Sequence, residues 1–290
     1  MTYLIFAAAI MFGIAKNSLP KIGGERFSGL GNIMSVNIIT SVVGIAFFAV
    51  SGINFRLFTD IKFVAMAFTY GLATLGAQSL YIKALKHGPV SVCAMIYAFG
   101  FLIPTVVMAI YLKEKIGIAE IIGTAVIILS VILVMSSKKG GTVSSKSYLV
   151  FIFLAMFSSG TVGLLQKLFG HIFGKEDFDS FLFAAFLFML LFSVVGKVAL
   201  KSNVEKSEGN FDKRIMAVCI LLALSNVLQN KSTLFLAAIL PAVVFFPIYN
   251  GAVIILSAIT SRAFFGEKIN KYGWLGIALG VFAIVLITVI

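Results

Sequence analysis

Tyr70, Thr74, Gln78 and Tyr81 follow one another at spacings of four, four and three residues. On a helix of period 3.6 that spacing lines hydroxyls and an amide along one face. Asn226, Asn230 and Thr233 repeat the pattern 152 residues later, with Leu222 where the fourth group would be. Stripes of uncharged donors and acceptors bind polar solutes or bind each other. In an apolar medium an unpaired amide is costly, so such faces look at one another or at water. Taken singly, each group could be glue between helices worth roughly 1 kcal/mol. Recurrence at equivalent positions argues instead for the wall of a binding cavity. Lys231 follows Asn230 directly and corresponds to Ser79. Its ammonium sits in apolar sequence, where an ionisable residue marks a functional site by default. Facing a cavity, it would bind a carboxylate or phosphate, or pair within the fold. Alternatively it snorkels along its own stem, because only about seven residues of helix, roughly 10 Å, remain beyond it.

Membrane helices are needed to position these residues. Of the 290 residues 60% are hydrophobic and 12% charged, and mean hydropathy is +1.09, more apolar surface than a soluble core uses. Apolar runs long enough to cross a ~30 Å hydrocarbon layer recur near 2–17, 29–50, 62–85, 89–112, 117–136, 147–169, 179–200, 214–238, 241–263 and 272–290. The runs are continuous rather than alternating, which excludes a barrel. The expected fold is an all-α integral membrane protein of ten transmembrane helices, multi-pass in the cell membrane, with the lipid bilayer as its surroundings. The first run lacks a basic region before it and a small-residue cleavage site after it, so it reads as a retained helix. Pro104 and Pro247 fall within the fourth and ninth spans, where a proline frees a carbonyl and kinks a helix, and freed backbone is tolerated beside a cavity. Tyr249 and Asn250 follow Pro247, and Tyr97 is the repeat mate of Tyr249, so all three are placed near the site.

The net charge of +12 is spread over helix ends with no nucleic-acid motif, as interfacial Lys and Arg would be. Lys16, Asn17 and Lys21 end the first span and Gln166 and Lys167 the sixth; they read as interfacial anchors. Cys93 and Cys219 lie singly in apolar runs and read as small buried side chains. His87 and His171 stand at helix ends without a metal-ligand partner, no acidic pair lies in a span, and no nucleotide loop occurs. An enzyme, a metal site and a cofactor are therefore not expected. The 11 acidic residues lie in connections or at helix ends. Glu114 and Glu267 read as partners of neighbouring lysines or caps of the following helix. Gly276-x-x-x-Gly280 suits close helix contact, within the chain or across a homodimer. Lysine and arginine cluster in the odd-numbered connections, which by the positive-inside rule puts both termini outside.

Pro89, Val92, Ile96 and Tyr97 match Pro241, Val244, Ile248 and Tyr249 at an offset of 152. Glu114-Lys115-Ile116, Gly123, Ala125 and Leu133 match Glu267-Lys268-Ile269, Gly276, Ala278 and Leu286 at 153. Five helices on each side of the polar stretch 137–146 make an internal repeat, 1–136 against 147–290. An odd number of helices per copy inverts the second in the membrane. The run from Tyr81-x-x-Ala84-Leu85 into Gly88-Pro89-Val90-Ser91-Val92, with Pro104, Glu114 and Gly123, resembles the repeat unit of EamA-type transporters of the drug/metabolite transporter superfamily. The second half carries it again in Pro241, Pro247-Ile248-Tyr249-Asn250-Gly251, Gly266-Glu267-Lys268 and Gly276. The resemblance implies ten helices around a central cavity open to one side at a time, with both termini in the cytoplasm, opposite to the charge count. Small multidrug antiporters of that superfamily exchange protons through a membrane-embedded carboxylate, which this chain lacks. The expected function is a secondary transporter that moves a small polar organic metabolite by alternating access. An anionic or zwitterionic small-molecule substrate such as an amino or organic acid is preferred because of Lys231. A flippase for a lipid or lipid-linked sugar is the alternative.

Overall fold

The computed structural model describes residues 2–27, 29–87, 96–97, 99–114, 117–136, 147–201, 211–265 and 270–289. These contain ten α-helices: α1 (Thr2–Gly23), α2 (Leu30–Ala49), α3 (Ile61–His87), α4 (Leu102–Tyr111), α5 (Ile118–Ser136), α6 (Ser147–Ile172), α7 (Phe178–Lys201), α8 (Lys213–Ile239), α9 (Ala242–Phe265) and α10 (Lys271–Val289). There is no strand among the described residues. Seven helices (α1, α2, α3, α6, α7, α8 and α9) are long and apolar enough to cross a membrane, and α4, α5 and α10 are apolar but shorter. The linker 137–146, Glu267 and the motif around Pro89 lie outside the described residues.

Helices pack in matched partnerships. α1 lies along α8 and α3 along α6, while α2 pairs with α7 and α5 with α10; α9 reaches α1, α4, α5 and α10. The α3–α6–α7 region is held by phenylalanine, with Phe169 stacked on Phe181 at 4.0 Å between centroids and Phe63 edge-on to both. Isoleucines bind α5, α9 and α10, among them Ile127, Ile255 and Ile287. Large apolar side chains also cover the outside, for example Ile110, Ile121, Val195 and Phe282. Contiguous exposed apolar surface of this kind suits acyl chains rather than water.

Two expectations change. The fourth span does not run as one helix through Pro104. Phe99–Phe101 is a 3₁₀ turn, and α4 starts at Leu102. Pro104 thus sits in the first turn, where its missing N–H had no partner to lose, so it is not a mid-helix kink. The turn packs so tightly on α6 that a Cβ on Gly100 would lie 2.7 Å from the Met156 carbonyl. Pro247 does stand inside α9. The glycines of α10 make contacts inside the chain, one of their two expected uses. Ser130 of α5 donates to the Gly276 carbonyl at 2.6 Å, and a Cβ on Gly280 would meet Ile255 Cδ1 at 2.2 Å. Finally, α1 continues to Gly23, past the expected end at 17; those extra turns place Lys16 deeper than a helix-end anchor.

Candidate functional site

The stripes on α3 and α8 face each other, and α6 bridges them. Tyr70 Oη donates to Asn230 Oδ1 at 2.6 Å and accepts from Gln166 Nε2 at 2.9 Å. The same Gln166 nitrogen lies 2.9 Å from Thr233 Oγ1. Asn226 Nδ2 donates to Gln78 Oε1 at 3.0 Å, and Asn230 Nδ2 bonds the Asn226 carbonyl and Oδ1 at 2.8 and 2.6 Å. All these side chains are buried. A buried network of this kind holds helix faces in one register, because breaking a bond strands a buried polar group.

Against this network lies a central pocket of about 70 Å³, several times the ~10–15 Å³ that holds one water. Its walls come from α1, α3, α4 with the preceding turn, α6, α8 and α9. Thr74, Asn230 and Thr233 contribute from the stripes, and Tyr97, Pro104, Tyr249 and Asn250 line it as well. Tyr97 and Ser159 both line it, and Tyr249 stacks on Phe245 with centroids 5.6 Å apart. Gln78 and Tyr81 line a smaller annex of about 20 Å³, which shares Lys16, Ala77 and Tyr97 with the main pocket. Tyr81 packs its ring against Tyr97 at 4.6 Å. Tyr70 and Asn226 are the struts behind the wall and line neither space.

Lys16 stands at the junction of the two spaces. Its Nζ donates to Gln229 Oε1 at 3.2 Å, and Gln229 Nε2 donates on to Tyr249 Oη at 3.1 Å. Among the described residues it pairs with no carboxylate. Lys16 and Gln166 are thus wall residues rather than the interfacial anchors their positions suggested. Gln229, Ser159 and Gln166 carried a legible signal. Gln229 completes an i, i+3, i+4, i+7 pattern with Asn226, Asn230 and Thr233, and Ser159 and Gln166 are seven residues apart on α6.

Lys231 does not join this site. Its Nζ pairs with Asp179 Oδ2 at 2.9 Å and lies 5.6 and 5.8 Å from the ring centroids of Phe47 and Phe48, with 42% of its side chain exposed. It lines a separate flank cavity of about 310 Å³ with Lys175, Glu176 and Asp179. That cavity is larger but mixes both signs of charge at helix ends, and none of the stripe residues reaches it. The reason is geometric, since consecutive helical residues are turned about 100° apart. With Asn230 directed at the pocket, Lys231 points away, along the snorkelling route and onto an acidic partner.

Glu114 acts as a cap and as a lysine's partner, with both described partners in the other half of the chain. Its carboxylate accepts from the Ala242 N–H at 3.0 and 2.8 Å and from Val243 N–H at 3.4 Å, capping α9 from the other half of the chain. It pairs with Lys167 of α6 at 3.2 Å, which also donates to the Leu240 carbonyl at 2.5 Å. Lys167 is buried here rather than anchored at an interface.

The EamA-like transporter family matches residues 1–136 and 146–289. This chain belongs to the EamA-like transporter family. The family is part of the drug/metabolite transporter superfamily, so this is a transmembrane transport protein. A crystal structure of another protein superposes with a TM-score of 0.74 over 99% of this chain and 96% of that one, at 14% identity, and so shares the fold. A search of curated proteins finds no match. In this EamA-like transporter, the polar pocket among six helices is the candidate substrate site.

Proposed function

We propose that the protein is a secondary transporter that moves a small polar organic metabolite, anionic or zwitterionic, by alternating access between two inverted five-helix halves. The observation that carries this reading is the make-up of the pocket wall. Its six helices are α1, α3 and α4 and the helices five places later, α6, α8 and α9. The packing follows the same exchange: α1 on α8 corresponds to α3 on α6, and α2–α7 and α5–α10 are pairs that map onto themselves. Two related halves around one site are the usual means of building two alternating states. The two stretches matched by the family, on either side of 137–146, are in keeping with halves 1–136 and 147–290. A wall of amides, hydroxyls and an ammonium favours a water-soluble solute over a lipid.

Ser159→Cys, in a chain with Cys93→Ala and Cys219→Ala, tests alternating access in oriented vesicles with a membrane-impermeant thiol reagent. The expected outcome is labelling from either side, slowed by a transported solute. Labelling from one side alone, with and without solute, rules out alternating access through this pocket.

A further inference from the structure

We propose that Lys16 holds the anionic group of the substrate, and that the solute carries one carboxylate on an uncharged body. This rests on the transporter reading above and narrows it. Three observations converge on it.

The first is charge. An ammonium offers three donors, and among the described residues Lys16 uses one, on the neutral Gln229 amide. Elsewhere the chain supplies counter-charges, Glu114 for Lys167 and Asp179 for Lys231. At Lys16 no described carboxylate does so, which leaves the place open for an anion from outside.

The second is the state of the neighbouring donors. Gln78 Nε2 and Thr74 Oγ1 are buried without a hydrogen-bond partner, in side chains only 8% and 5% exposed. Gln78 borders the annex and Thr74 the main pocket, the two spaces that Lys16 joins. Buried donors left unmade are costly, and a ligand oxygen beside Lys16 relieves them.

The third is what surrounds the rest of the ligand. Among the described residues no carboxylate lines either space, so an ammonium on the solute would face Lys16 with nothing to neutralise it. Beyond the amides the wall is aromatic, with Phe101, Phe245 and Phe246, a surface for an uncharged body.

A matched three-carbon set separates the cases: lactate is the anion, lactamide the neutral form, alanine the zwitterion and alaninamide the cation. Protection of the purified full-length protein against thermal unfolding gives an apparent affinity for each. Lactate is expected to bind roughly tenfold or more tightly than the other three, the scale of a like-charge or lost-charge penalty in a partly solvated site. Lys16→Gln is expected to lose about that factor for lactate, Lys16→Arg to keep most of it, and Lys231→Gln to change nothing. Equal protection by alanine or lactamide, undiminished lactate binding in Lys16→Gln, or no protection by lactate overturns the inference. Vesicle uptake keeps the two levels apart. Zwitterion uptake indifferent to Lys16→Gln removes the anion site and leaves the transporter. Lys16-dependent lactate binding without uptake of any solute removes the transporter reading and leaves the site.

Discussion

Glu114→Gln is expected to destabilise the protein far more than a surface change in a connecting segment would. The carboxylate holds two things together: the first N–H groups of α9 and the Lys167 ammonium. Exposure of the two side chains is 13% and 9%, so water screens the pair little. Glutamine keeps one oxygen for the Ala242 N–H but drops the negative charge. Lys167 then retains only the Leu240 carbonyl. Removing one member of a buried pair costs about 3–5 kcal/mol because the other charge is left uncompensated. The surviving carbonyl bond and the partial exposure argue for the lower end, about 3 kcal/mol. At about 2–4 °C for each kcal/mol in a large domain, the melting temperature falls by roughly 6–12 °C. The assay is thermal unfolding in detergent for Glu114→Gln, Lys167→Met and the double variant. Because the double variant leaves no stranded charge, its loss should be smaller than the sum of the singles by about 1–3 kcal/mol. A Glu114→Gln protein that melts with the native chain, or strictly additive losses, refutes the clasp.

Two further outcomes follow from the same contacts. Lys231→Gln should leave vesicle uptake unchanged and cost less stability than Glu114→Gln, because its pair with Asp179 is the more exposed of the two, at 42% and 24%; a loss of uptake would return Lys231 to the site. Asp212 caps α8 through the Ile215 N–H at 2.8 Å and pairs with Arg26 at 2.8 Å. The backbone bond first, and the guanidinium after it, hold its carboxyl below the ordinary 3.8. A folded value lower than the unfolded one means that the stabilisation is complete above 3.8 and is lost as pH falls through the depressed value. Asp212→Asn should therefore lower the melting temperature in the neutral region, leave the most acid values little changed, and so flatten the acid limb; an acid limb as steep as that of the native chain would exclude the linkage.

Much of the architecture could be read directly from residue order. Apolar run length marked the helices, and the recurrence of Tyr70, Thr74 and Gln78 as Leu222, Asn226 and Asn230 marked the two helices that meet at the site. Splitting the stripe into struts and wall was not legible. Tyr70 and Asn226 differ from Thr74 and Asn230 by one turn of helix, and only the crossing of α3, α6 and α8 decides which turn opens on space. The lysines show the limit more sharply. Lys231 stood out because it lies within an apolar run, and Lys16 read as an interfacial anchor because it lies near the end of one.

Hydropathy, spacing and internal repetition are additive along a chain, so residue order alone was enough for the helical class, the polar faces and the family. A charge's role is not additive. It depends on which way the helix turns and on what another segment brings within a few ångströms. Packing sent the Lys231 ammonium outward to Asp179, buried Lys167 beneath Glu114, and left Lys16, on a helix that runs on to Gly23, facing the pocket beside a neutral amide.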